Sequence, residues 1–188
     1  MSRRIVLLIA PLLLSAALPA PAQTIVPAQS EIGFVSKQMG VPVEGKFRKW
    51  TAQISFDPKK PEAGKVSFTI DTASASFGAP ETDAEVPKAA WFNAVKFPQA
   101  SFQSSSIKAT GGGKFDVAGK LTIKGQAQDV VVPVTLASAA GGNGTASGSF
   151  LIKRLDFKIG EGEWADTSMV ANDVQVKFKL ALSGLAAN

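Results

Sequence analysis

Few of the side chains that drive enzyme chemistry occur in this chain. It has no His, no Cys and no Tyr, so the imidazole, thiolate and phenol behind most acid–base, nucleophilic and transition-metal chemistry are missing. Ser, Thr, Lys, Arg and carboxylates remain. Ser105-Ser106-Ile107-Lys108 has the Ser-x-x-Lys spacing of a serine acyltransferase. It lies in strand-like sequence without the Ser-Asp-Asn or Lys-Thr-Gly companions of that chemistry, and chance spacing explains it. The carboxylate groups Glu81/Asp83/Glu85 and Glu161/Glu163/Asp166 do not match a calcium loop, which needs acidic or amide positions at 1, 3 and 5, then Gly and a distal Glu. Both read as solvated loops, and no metal, cofactor or catalytic residue is assigned. Arg154 is read first as one half of a buried structural pair with Asp156 or Asp166, because a buried Arg is normally kept only when matched. Contact with the polar end of a ligand is its second reading. Lys37, Arg48 and Lys49 read as solvated, with a phosphate or quinone headgroup as the sharper alternative.

Apolar burial is the chemistry the sequence does concentrate. Trp91, Phe92, Phe97 and Phe102 fall within twelve residues, in a segment of poor strand character that ends at Phe97-Pro98. This segment is expected to plug or cover an apolar interior, with Trp91 and Phe97 as gates.

The elements that must carry it have a period of two from Ser30 onward. Ile32 and Phe34 mark a first strand. Trp50, Ala52, Ile54 and Phe56 mark a second, with Phe47 on the opposite phase, so a bulge is expected near Arg48-Lys49. Val66, Phe68 and Ile70 give a third. From Ala73 to Pro98 alternation fails, and short helical turns broken by proline are expected. Ala100 and Phe102 open a fourth strand; Phe115 to Ile123, Val130 to Leu136, Phe150 with Ile152, and Val174 to Leu182 give four more. Eight antiparallel strands, each apolar on one face, predict a closed up-and-down barrel with one excursion between strands 3 and 4. Its interior is either filled by side chains or holds one slender ligand. The inward set is Phe34, Phe68, Phe102, Leu121, Ile123, Phe150, Ile152 and Phe178. Core packing alone accounts for it; lining a cavity uses the same residue types.

Residues 1–22 carry Arg3-Arg4, an apolar run from Ile5 to Leu18 and Ala20-Pro21-Ala22, the layout of a secretory signal peptide. The mature domain, residues 23–188, is expected to start at about Gln23 and to be periplasmic. Without Arg3 and Arg4 the formal +5 becomes +3, an excess that supports solubility rather than nucleic-acid binding and allows at most peripheral membrane contact.

The assembled motifs resemble the YceI-like family of secreted lipid- and polyisoprenoid-binding proteins over nearly all of the mature chain. Ser30, Ile32, Phe34, Lys37, Met39-Gly40, Gly45 and Phe47 are similar to its opening strand pair. Trp91-Phe92-Asn93 and Lys96-Phe97-Pro98 are similar to its aromatic segment, Gly119-Lys120-Leu121-Thr122-Ile123-Lys124-Gly125 to its Gly-x-Leu-Thr-Ile-x-Gly hairpin, and Arg154-Leu155-Asp156-Phe157 to its Arg-x-Asp-Phe motif. Gln38 and Lys124 stand where many members place His. The resemblance implies a lipocalin-like barrel holding a long isoprenoid, quinone or fatty lipid, with Phe34, Phe68, Trp91, Phe92, Phe97, Phe102, Leu121, Ile123, Phe150, Ile152 and Phe178 as cavity or lid. A non-enzymatic periplasmic carrier is the reading that follows. The alternatives are a structural or stress-related barrel with a filled core and an enzyme acting on a lipid-pyrophosphate through Arg154. A homodimer would use Val35, Val131 and Leu151, apolar residues on the polar phase.

Overall fold

The computed structural model describes residues 22–185; residues 1–21, which hold nearly all of the expected signal peptide, lie outside it. The described chain forms strands β1 (Ala22–Ile25), β2 (Glu31–Gln38), β3 (Val41–Phe47), β4 (Trp50–Ser55), β5 (Lys65–Asp71), β6 (Ala75–Ser76), β7 (Gln99–Gly111), β8 (Lys114–Ile123), β9 (Gln126–Ala139), β10 (Asn143–Lys153) and β11 (Asp173–Ser183), with one short helix, α1 (Pro80–Glu85). Every pairing between strands is antiparallel, and the ladder closes on itself through β11, which bonds β10 on one edge and both β2 and β1 on the other.

Two wall strands are broken in mid-course. β1 and β2 run in line along β11, separated by a 3₁₀ turn at Pro27–Gln29. β3 and β4 are likewise the two halves of a single crossing, separated at Arg48-Lys49: β3 pairs with β2 at one end and β4 with β1 at the other. Counted in this way the barrel has eight strands. The expected bulge at Arg48-Lys49 is there, and it resets the phase, since Val43, Gly45 and Phe47 face inward before it and Trp50, Ala52 and Ile54 after it. Periodicity alone did not give β3 as a separate strand, because Pro42 and Gly45 interrupt its alternation; the strand pair that the resemblance implied for Ser30 to Phe47 is β2 and β3. β1 was also missed, being only four residues long and followed at once by Val26-Pro27.

The two ends of the barrel differ. At one end lie the short β7–β8 and β9–β10 turns and the β4–β5 connection of residues 56–64, and an edge-on pair, Phe56 and Phe115 with centroids 5.0 Å apart, packs with Ile107 and Leu182 to fill the floor. At the other end lie the two long connections, residues 72–98 between β5 and β7 and residues 154–172 between β10 and β11. The first is the expected excursion, with α1 as its only helix of the α type. The second, whose residues Glu161, Glu163 and Asp166 were read from sequence only as a solvated loop, is half of the cover. Among the described residues no helix is long and apolar enough to cross a membrane.

Candidate functional site

The barrel is hollow. A cavity of about 640 Å³ runs up its axis from the floor residues Phe56, Phe115 and Leu182 to an opening beside α1, a volume in the ordinary range for small-molecule sites. Its walls are the inward rows of the strands. They leave room partly because Gly45, Gly119 and Gly148 occupy inward positions with the end of a phenylalanine ring packed against each. A Cβ at Gly119 would stand 2.6 Å from the Phe102 ring and one at Gly148 would stand 2.7 Å from the Phe178 ring; at Gly45 it would collide with Phe34. The rings pack against bare backbone instead of reaching across the lumen.

The cover is fastened by two buried cations. Arg154, 2 % exposed, donates from Nε to Ala171 O, from Nη1 to Ile159 O and Gly160 O, and from Nη2 to Trp164 O and Val170 O, at 2.7 to 3.1 Å. A guanidinium has five N–H donors, and all five end on backbone carbonyls of residues 159–171. This overturns the expected pairing with Asp156 or Asp166. Five oriented carbonyl dipoles replace the counter-ion, and no N–H remains for the polar end of a ligand. Burial lowers the Arg154 pKa from its ordinary value.

Lys124 ties the two halves of the cover together. It sits at the tip of the β8–β9 hairpin in a left-handed conformation, φ 48°, and is 5 % exposed. Its Nζ donates to Ala89 O at 2.8 Å, Lys158 O at 2.7 Å and Glu161 Oε2 at 2.8 Å, so its three donors are engaged as well. Glu161 is held below the usual carboxylate range chiefly by that hydrogen bond. The amides of Gly160 and Glu161 also bond Ala90 O, and the Trp91 and Trp164 rings meet with centroids 5.4 Å apart. On the other side Asp83 of α1 accepts from Ser76 Oγ and Phe77 N, both at 2.6 Å, with Arg48 Nη2 at 3.4 Å. These partners, the Ser76 hydroxyl first, hold its carboxyl below its ordinary pKa.

Ten of the eleven predicted apolar residues line the cavity: Phe34, Phe68, Trp91, Phe92, Phe102, Leu121, Ile123, Phe150, Ile152 and Phe178. Phe97 does not. Its ring packs outside the lumen over the Gly125 backbone, with Lys96 Nζ 5.4 Å from its centroid, so its expected role as a gate is withdrawn. Three features escaped the sequence reading. Trp164 lines the cavity. Glu81 and Glu85, read as solvated, stand at its opening with Thr82 and Met39. Ser36 is 8 % exposed and lines the cavity on the inward row of β2 with Ile32 and Phe34; that row's alternation was the available signal.

The sequence profile of the YceI-like domain matches residues 23–182. The chain belongs to the YceI-like family. Among solved structures, the YceI-like fold superimposes on BcnA of Burkholderia cenocepacia at 48% identity and a TM-score of 0.81, covering 84% of this chain and 99% of that one. It also matches a polyisoprenoid binding domain from Saccharophagus degradans at 14% identity and a TM-score of 0.68, covering 86% and 98% of the two chains, a likeness of fold. A UPF0312 protein of Azotobacter vinelandii is 39% identical over 88 residues, 47% of this YceI-like chain and 46% of the relative. The matched stretch thus spans about half the length of such curated relatives.

Proposed function

We propose that this YceI-like protein is a non-catalytic carrier that holds one long apolar lipid, an isoprenoid or quinone in preference to a short ligand, in the barrel lumen. One observation carries the reading: an apolar cavity of about 640 Å³, closed at the floor and open beside α1. The name of the Saccharophagus degradans neighbour points the same way. Burial of each methylene contributes about 0.8 kcal/mol, so a chain of a dozen carbons gains several kcal/mol after the cost of ordering it. The filled-core alternative is disfavoured by the open lumen, and the enzyme alternative by the engagement of every Arg154 donor.

Secretion to the periplasm through residues 1–22 is part of the proposal, as is loading at a membrane surface. Met39, Val41 and Met169, 72%, 63% and 45% exposed, form an apolar rim, two of them lining the cavity itself. Outside the barrel, Leu151, Gln175 and Val35 fall in one row across β10, β11 and β2, and a homodimer would cover that row.

Native mass spectrometry of protein secreted from its own host, followed by solvent extraction, tests the central reading. A stoichiometric isoprenoid or quinone is the expected result. A mass that stays ligand-free after incubation with such lipids would sink it.

A further inference from the structure

The lining of the cavity is sharply divided by charge. Its walls are apolar apart from Ser36, Gln38 and Ser101. The charged side chains along it are Glu81 and Glu85 at the opening and Arg154 under the cover. Arg154 offers nothing to a ligand, since its five donors are engaged on carbonyls. Lys124, the nearest other buried cation, has its three donors engaged too. Glu85 is paired with Lys88, whereas Glu81 makes no ion pair among the described residues. Ser36 is the second, independent mark of a ligand. The residue is more than nine-tenths buried and lines the lumen between Phe34 and Gln38; its hydroxyl makes no hydrogen bond to the protein and, since no fully enclosed side-chain polar atom lacks a partner among the described residues, it opens onto the cavity.

From this distribution we infer that the polar end of the lipid is uncharged and hydrogen-bonding, an alcohol or hydroquinone held near Ser36 and Gln38, and that the carboxylate rim excludes anionic ends such as phosphates, pyrophosphates and free carboxylates. The inference rests on the carrier reading above and names the class of lipid that site selects. The chain enters tail-first, because the cavity lining around Phe56 and Phe115 is apolar and the nearby Gln23 is spent on backbone groups, its Oε1 accepting from Phe56 N and its Nε2 donating to Gly184 O. A hydroxyl left at the mouth finds acceptors in the rim carboxylates and a partner in Ser36. A pyrophosphate placed there meets like charge and no free donor cation, and juxtaposed like charges are strongly penalised.

Farnesol and farnesyl pyrophosphate have the same tail and differ at the head, so their affinities for the purified chain isolate that end. Quenching of Trp91 and Trp164 fluorescence reads both. The alcohol is expected to bind more tightly by about tenfold or more. Added salt should narrow the ratio by screening the repulsion. The E81K/E85K double variant is expected to bring the two affinities together, and S36A to weaken the alcohol selectively. Equal or tighter binding of the pyrophosphate by the unaltered chain overturns the inference and leaves the carrier reading standing. Binding of neither, repeated with the longer geranylgeraniol and its pyrophosphate, overturns both.

Discussion

Replacing Arg154 with lysine separates its charge from its shape. Lysine keeps the charge but brings three donors to a site of five carbonyls, and each buried carbonyl left without a partner costs roughly 1–3 kcal/mol. R154K is therefore expected to lose about 2–5 kcal/mol of stability, read as a lower midpoint in urea denaturation. An unchanged midpoint would mean that water or another side chain takes over the carbonyls. The sequence marked Arg154 as buried and matched, yet named the wrong match. Carbonyls have no letter in a sequence, so a cation held by backbone alone looks the same as one awaiting a carboxylate. The acids at the cover make a pH prediction. Asp83, Glu161 and Asp166 all have folded pKa values below their ordinary ones. For a depressed group, the added stability is complete above the unfolded value and is lost as pH falls through the folded value. The cover should therefore be insensitive to pH near neutrality and loosen from about pH 4 downward. Amide exchange in residues 72–98 and 154–172 should rise there ahead of the barrel strands, and D83N should show weaker acid sensitivity than the unaltered chain, from a less protected starting point.

The cover is two connections pinned to each other, and its aromatic residues divide by which side they face. Trp91 faces the lumen against Trp164; Phe97 faces away, on Gly125. Trp91→Ala is expected to speed lipid release by on the order of tenfold, the equivalent of ~1.4 kcal/mol of lost contact, in a stopped-flow displacement experiment. Phe97→Ala should leave that rate unchanged while lowering the thermal midpoint. Rates that moved together would place both rings on the ligand path. At this scale the strands were legible wherever alternation was unbroken, as in β8 and β11. They were illegible where Pro42 and Gly45 stand in β3. The 154–172 connection was missed because its function depends on Arg154 and Lys124 reaching across the end of the barrel, contacts between residues far apart in sequence.

For the molecule as a whole, periodicity could say which residues face inward but not whether they meet in the middle. Ten of the eleven apolar residues named from sequence line the cavity, and the same residues would have formed a solid core had the inward glycines been larger. The emptiness comes from what lies beneath the rings. Gly45→Val is expected to push the Phe34 ring toward the lumen and to shorten the longest isoprenoid alcohol that binds, measured across a series from farnesol upward. Affinity for the shortest member should be least affected. A uniform loss across the series would point to general unfolding instead.

The glycines under the rings differ in how free they are to change. A methyl at Gly119 or Gly148 would strike a neighbouring strand's carbonyl, that of Gln103 or Pro133, as well as a ring, whereas at Gly45 its three nearest neighbours are all atoms of the Phe34 ring. Any glycine codon becomes an alanine or valine codon by a single base change. Two of these positions are thereby locked by the wall, while the third is an adjustable stop: descendants of this protein could recalibrate the length of cargo they accept at one codon, without disturbing a single rung of the barrel's ladder.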